Sequence, residues 1–353
     1  MSMVLEQLIL AGLLVLALLW LWGAWLGGLF IIDRDRAAAD PGDPGASGFS
    51  GHKQLLDLGD RTIALLDEGR GDPAILLHGC PFSAYEWRKI IPVLVAAGHR
   101  VIAPDLLGLG DTPVSLRDDY RLPRDVDMVI ALMDRLGIDQ ARFVGHDHGA
   151  ATLQLLMSRR PQRIQSAVLT NAEAYDQWPS EPERPYLRLA VNPLTSPFFR
   201  LALALRPVRR EVFSIAYHDP DHSMHDEDID VYTRTHIATA RRFARFRRFF
   251  RWQLDRRHNR ITMQAVPGLR RFKKPVLILW GQQDSNFGPA IAERLAADIP
   301  GATGVKWMHH SAHMPMEEEP EAYAAALLDF WRSTAAQQEC QDQDPEGAMI
   351  CPK

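Results

Sequence analysis

The sequence predicts an α/β protein: a mostly parallel sheet with crossover helices, a helical cap inserted late in the chain, and an N-terminal transmembrane helix. Three observations predict it. Short apolar runs alternate with amphipathic stretches along most of the 353 residues, as the strands and covering helices of a parallel sheet require. One helical interval of roughly a hundred residues breaks that alternation, far beyond the usual connection of about 2 to 6. Residues 8–32, LILAGLLVLALLWLWGAWLGGLFII, carry no charge.

At about 1.5 Å per residue, the stretch from Leu8 to Ile32 is long enough to cross a hydrocarbon core about 30 Å thick. A cleaved secretory signal has an apolar stretch of about 7 to 15 residues and a basic start. Here the start is MSMVLEQ, without Lys or Arg, and no small-x-small cleavage site precedes Asp33, Arg34, Asp35 and Arg36. The expectation is a retained single-pass anchor over 1–32, in an orientation left open because those four charges cancel. Residues 33–51, rich in Gly, Pro and Ala, read as a flexible linker.

Strands are expected at Thr62–Leu66, Ala74–Leu77, Val101–Ala103, Arg142–Val144, Ala167–Thr170, Val276–Leu279 and Val305–Met308. Helices are expected at Tyr85–Ala96, Pro123–Leu136, Ala150–Arg159, Ala290–Ile299 and Pro320–Ser333. The Arg-rich interval between Thr170 and Val276 is the cap. The predicted domains are a core over 52–172, the cap over 173–269, the rest of the core over 270–337, and a polar tail over 338–353. Hydrophobic residues make up 46% of the chain and charged residues 24%, as in ordinary globular proteins. A net charge of −4 gives no argument for nucleic acid. Three cysteines, Cys80, Cys340 and Cys351, are too few and too unevenly placed for a disulfide framework or a zinc site.

Chemistry is expected at Gly145-His146-Asp147-His148-Gly149, between the strand RFV and a helix. A sharp strand-to-helix turn lifts the middle residue above the sheet, and glycines flank it because larger side chains collide with neighbouring backbone. Most such elbows carry Ser; this one carries Asp147. A carboxylate attacking an ester carbonyl makes an anhydride, which disfavours ordinary esterase chemistry. Attack on an sp³ carbon, displacing a halide or opening an epoxide, makes an alkyl ester that water then cleaves. His313, in the loop before the last helix, is the candidate base for that water. Asp284, after the strand VLIL, is the leading candidate to orient it, and Glu173 is the other. Oxyanion donors are expected from the backbone N–H groups of Cys80 and His148. Substrate contacts are expected from His78, Pro81, Tyr175, Trp178 and Trp252.

The segments HGCPFSAYEW (78–87), APDLLGLGDT (103–112), VGHDHGA (144–150), WGQQD (280–284) and SAHMPMEEEP (311–320) together resemble the haloalkane dehalogenase and epoxide hydrolase branch of the α/β-hydrolases. The resemblance runs from about Gly51 to Trp331. It implies an eight-stranded, mostly parallel sheet of the α/β-hydrolase fold, a helical cap over the site, a small apolar organic substrate, and no cofactor or metal. Ser83, Tyr85, Trp87, Arg88, Ile90, Ile91 and Pro92 are similar to the dehalogenase motif SxYxWRxIIP. The Trp and Asn with which dehalogenases usually hold the halide are replaced here by His148 and Cys80. An imidazole N–H replaces one donor, whereas a thiol is a weak one. Epoxide hydrolases protonate the alkoxide with cap tyrosines, and Tyr175, Tyr186, Tyr217 and Tyr232 lie in or near the cap without matching that pair. The reading leans to a dehalogenase. Its alternatives are an epoxide hydrolase, an ester or lactone hydrolase, and a non-catalytic membrane-tethered binding module.

The runs HDH and HHSAH invite a metal reading, but the hydrolase pattern already uses the elbow and the base, so no metal is expected. Residues 241–257, RRFARFRRFFRWQLDRR, form a basic amphipathic helix with Phe243, Phe246, Phe250 and Leu254 on one stripe. It is expected to pack over the site as part of the cap, with membrane contact as the alternative.

Overall fold

The computed structural model describes residues 3–26 and 53–343. The expected linker, residues 27–32 of the expected anchor and residues 344–353 of the expected tail lie outside the described residues. Eight strands form one sheet in the order β1-β2-β4-β3-β5-β6-β7-β8. They are β1 (Gln54–Asp57), β2 (Thr62–Glu68), β3 (Asp72–Leu77), β4 (His99–Pro104), β5 (Ala141–His146), β6 (Ile164–Thr170), β7 (Val276–Gly281) and β8 (Ala302–Met308). The β1–β2 and β2–β4 pairs are antiparallel, and every pair from β4 through β8 is parallel. Parallel strands covered on both faces need continuous apolar runs, and β5 is buried along its whole length. The short edge strand β1, mostly exposed, carries no such run and is absent from the expected strands.

Helices α2 (Ile91–Ala96), α3 (Leu122–Arg135), α4 (Asp147–Arg159), α12 (Pro289–Asp298), α13 (Pro315–Glu318) and α14 (Pro320–Gln343) accompany the sheet. The single helix expected over Tyr85–Ala96 is broken. A 3-10 turn spans Ala84–Trp87, capped by Ser83, and α2 starts afresh with Pro92 in its first turn, where the missing N–H of proline costs nothing. Helix α14 runs into the region expected to be tail.

Between β6 and β7 lie α5 (Arg184–Val191), α6 (Ser196–Leu203), α7 (Arg206–Ser214), α8 (Pro220–Ser223), α9 (Asp226–Ile237), α10 (Ala240–Gln253) and α11 (Arg256–Leu269). The basic stretch 241–257 is divided where Asp255 caps α11 by accepting the Arg257 N–H. Its Phe stripe faces inwards, with Phe243, Phe246 and Phe250 all buried. Helix α11 packs on α4 of the core.

Two buried ion clusters tie the parts together. The DLLGLGD turn supplies Asp105 and Asp111, which hold Lys53 at 2.7 and 3.0 Å, and Asp111 also binds Arg242 of the cap at 3.0 Å. At the other edge, Arg88 donates to Asp228 of α9 at 2.6 Å and to Glu317. Tyr85 donates to Asp228 at 2.7 Å, and the cap residues Tyr217 and Tyr232 both donate to Glu317. Much of the SxYxWR motif therefore clasps cap to core. Breaking a buried pair leaves an uncompensated charge, so Lys53→Met is expected to lower stability by about 3 to 5 kcal/mol, measured by urea unfolding.

Helix α1 (Met3–Leu26) covers most of the expected anchor and lies against α6. Among the described residues no helix is long and apolar enough to cross a membrane.

Candidate active site

The site sits at the C-terminal ends of the parallel strands, under the cap. Strand β5 turns directly into α4, and Asp147 at the corner has φ 49°, a left-handed value that β5 and α4 on either side hold in place. Gly149 is required here. A Cβ on it would lie 2.1 Å from the carbonyl oxygen of Leu77 on β3. Gly79 is needed likewise, since its Cβ would meet that of Asp147 at 2.9 Å.

The Asp147 carboxylate accepts the Cys80 N–H through Oδ2 at 2.6 Å. Burial and the nearby Glu173 push the Asp147 carboxyl well above its usual range, opposed by His313 and the Cys80 N–H. The His313 ring holds Asp284 Oδ2 through Nδ1 at 3.0 Å. Its Nε2 is buried and has no partner among the described residues. Burial works against charging His313, yet Asp284 and Asp147 outweigh it and hold its pKa at about 9. Asp284 is pinned by two residues that sequence reasoning missed. Asn171, just after β6, donates to Oδ2 at 2.7 Å, and the Asn286 N–H donates to Oδ1 at 2.7 Å. Neither lies in a motif that marks it.

The structure brings Asp147, His313, Asp284 and Cys80 together, whereas Glu173 lines the same cavity but is engaged with other partners. Its Oε2 lies 2.7 Å from His148 Nδ1, and its Oε1 accepts from Gln253 at 2.7 Å. No bond joins it to His313 among the described residues, so the alternative acid is corrected. The His148 ring is also corrected as a halide donor. It is fully buried between Glu173 and Asp125 and is not among the residues lining the cavity. Burial opposes its charge, but Glu173 and Asp125 carry its pKa to about 10. The His148 backbone N–H remains a first-turn donor of α4, where such groups lack helical partners.

Of the expected substrate contacts, Pro81 lines the cavity and the others do not. His78 accepts the Leu106 N–H through Nε2 at 2.9 Å. Tyr175 donates to Asp298 at 3.0 Å, and Trp178 donates to Thr262 at 2.8 Å. Trp252 packs its ring against His148 and Trp178. His78, Tyr175 and Trp178 thereby satisfy polar atoms that need a partner, whereas Trp252 contributes ring packing and its N–H is unpartnered among the described residues. His146 also has a framework role: its Nε2 lies 2.9 Å from the carbonyl oxygen of His313.

The cavity of about 80 Å³ is lined mainly by apolar cap residues, among them Leu187, Phe199, Leu203, Phe213, Phe246 and Phe250. Its polar groups include His313, Glu173, Glu183, Tyr186, His236 and Gln253. The cavity can therefore hold a small apolar molecule beside the free nitrogen of His313, next to Cys80, whose N–H binds the buried Asp147 carboxylate behind the lining.

Comparison with known proteins bears on the fold and the family. The alpha/beta hydrolase fold family matches residues 72–320. A haloalkane dehalogenase of Psychrobacter cryohalolentis is 42% identical over 35% of this chain, a match spanning 43% of its own length. Haloalkane dehalogenase 1 of Mycobacterium bovis is 30% identical over 74% of this chain and 84% of its own. A crystal structure described as a putative ancestral haloalkane dehalogenase superposes with a TM-score of 0.68 at 25% identity, covering 80% of this chain and 99% of that one. The chain is thus a hydrolase that belongs to the alpha/beta hydrolase fold family, in the branch of haloalkane dehalogenases and epoxide hydrolases.

Proposed function

We propose that Asp147 is the nucleophile of a two-step hydrolysis at an sp³ carbon, of the kind that haloalkane dehalogenases carry out. Asp147 displaces a leaving group to form an alkyl ester. Water deprotonated by His313 then attacks that ester at its carbonyl, and Asp284 holds the imidazole in place. The observation that carries the reading is the Asp147 carboxylate itself, at the elbow under an apolar cavity, with Oδ2 on the Cys80 N–H at 2.6 Å. On this reading that donor and the His148 N–H steady the oxyanion of the second step. A single turnover in heavy-oxygen water tests the reading. Label is expected in Asp147 and light oxygen in the product alcohol; label in the product with Asp147 unlabelled would mean direct attack by activated water.

We also propose that residues 1–32 anchor the chain to a membrane. The support is the run of apolar side chains on α1 that stand exposed, such as Leu10 at 65% and Leu14 at 61%; an all-apolar helix calls for an apolar surrounding. The full chain is expected in the membrane pellet after an alkaline carbonate wash. A version lacking residues 1–32 is expected in the supernatant, and its remaining in the pellet would overturn the anchor.

A further inference from the structure

Glu183 stands in the cap directly before α5 and lines the same cavity as Cys80 and His313. Its Oε2 accepts the N–H and the hydroxyl of Ser180 at 3.0 and 2.7 Å, which fixes the carboxyl group. Its Oε1 has no hydrogen-bond partner among the described residues. The Glu183 carboxyl thus shares a cavity with His313 and with Cys80, whose N–H holds Asp147. Arg184, next in the chain, is turned to Glu181 and to the carbonyl of Pro179 and does not neutralise it.

Two leaving groups make opposite demands on such a cavity. A halide departs as an anion and needs N–H donors. The His148 ring, which replaces one family donor, is buried against Glu173, and the two carboxyl groups Glu173 and Glu183 line the cavity instead. An epoxide oxygen stays on the product and needs one proton. The tyrosines that would supply it are mostly committed elsewhere: Tyr217 and Tyr232 to Glu317, and Tyr175 to Asp298.

We propose that the cavity takes a small apolar epoxide and that Glu183 is the acid that protonates the opening ring. This rests on the reading of Asp147 as nucleophile. Asp147 attacks one epoxide carbon, the C–O bond breaks with its electron pair going to oxygen, and that oxygen takes the proton of Glu183. Water then gives a proton to His313 and its hydroxide to the ester carbonyl. Collapse releases the second oxygen of the diol, which takes the proton from His313, and the proton left on Asp147 returns to Glu183. The sum is epoxide plus water to diol. Burial and Glu173 raise the Glu183 carboxyl, against the pull of Ser180 and His313. The other titratable groups on the cavity are His236, Cys80 and Tyr186. Burial holds the His236 pKa down at about 3 and raises the Cys80 thiol well above its usual value, so neither changes charge near neutral pH.

The test uses the full chain carrying His313→Gln, which stops after the first step, with 1,2-epoxyhexane and with 1-bromohexane. Adduct formation is followed by intact-protein mass spectrometry between about pH 5 and 10, a range that brackets the titration of a raised carboxyl. The epoxide rate divided by the bromohexane rate, a ratio in which the titration of Asp147 cancels, is expected to fall as pH rises and Glu183 loses its proton. Adding Glu183→Gln, which keeps an acceptor for Ser180, is expected to slow the epoxide reaction by about 10² to 10⁴-fold and to remove the decline. An unchanged rate and pH profile in Glu183→Gln overturns the proposal. So does a Tyr186→Phe variant that takes the loss in its place. Adduct from bromohexane alone overturns it and leaves the nucleophile reading standing, whereas no adduct from either compound overturns both.

Discussion

Turnover is expected to fall by on the order of 10³-fold or more in His313→Gln, while the first step survives and the substrate mass accumulates on Asp147. The physical reason is the division of labour around the elbow. The Asp147 carboxylate attacks without losing a proton, so alkylation needs no base. Breaking the resulting ester needs a deprotonated water, and the free Nε2 of His313 is the group positioned to make one. Intact-protein mass spectrometry after mixing with substrate, followed by peptide mapping to Asp147, measures this directly. A folded His313→Gln protein that turns over normally would remove His313 from the reaction.

The second large effect concerns the acid. Asp284→Asn is expected to lower turnover by about 10⁴-fold, as loss of the carboxylate does in other triads. The amide keeps the shape but accepts through one atom only, so it loses either the Asn286 N–H or the Asn171 and His313 contacts, and it removes the charge that selects the His313 tautomer. Glu173→Gln is expected to leave turnover within about tenfold, and to show itself in stability instead. His148 then loses the carboxylate at 2.7 Å that outweighs its burial, and removing one partner of a buried pair costs about 3 to 5 kcal/mol. Steady-state kinetics and urea unfolding on the two variants separate the roles. The opposite ranking in turnover would return the acid to the end of β6.

Much of the fold and of the site is legible in the amino-acid sequence. The parallel strands announce themselves because burial on both faces demands unbroken apolar runs, and the elbow does so because Gly149 tolerates no side chain beneath Leu77. The choice between Asp284 and Glu173 is not legible there. Both follow core strands, and only three-dimensional distance shows which carboxylate meets the imidazole. Trp178 and Trp252 look like substrate contacts because they are aromatic and lie in the cap, but large rings fill cores as readily as pockets. Asn171, Asn286, Ser180 and Lys53 carry no sequence signal, since a polar residue that pins another looks like any surface residue. The clasp of Tyr85 and Arg88 is visible as a family motif, yet its task is to join cap and core.

The high proton affinity of His313 suits the resting enzyme poorly for making hydroxide, since a ring with a pKa of about 9 is mostly charged at neutral pH. Part of that affinity is borrowed from Asp147. Once Asp147 becomes a neutral ester, the charge that helped to keep the proton on His313 disappears, and the ring lets go more easily. On the proposed two-step reading the first step thereby eases the second, by the Asp147 share of that affinity, while the larger share from Asp284 stays.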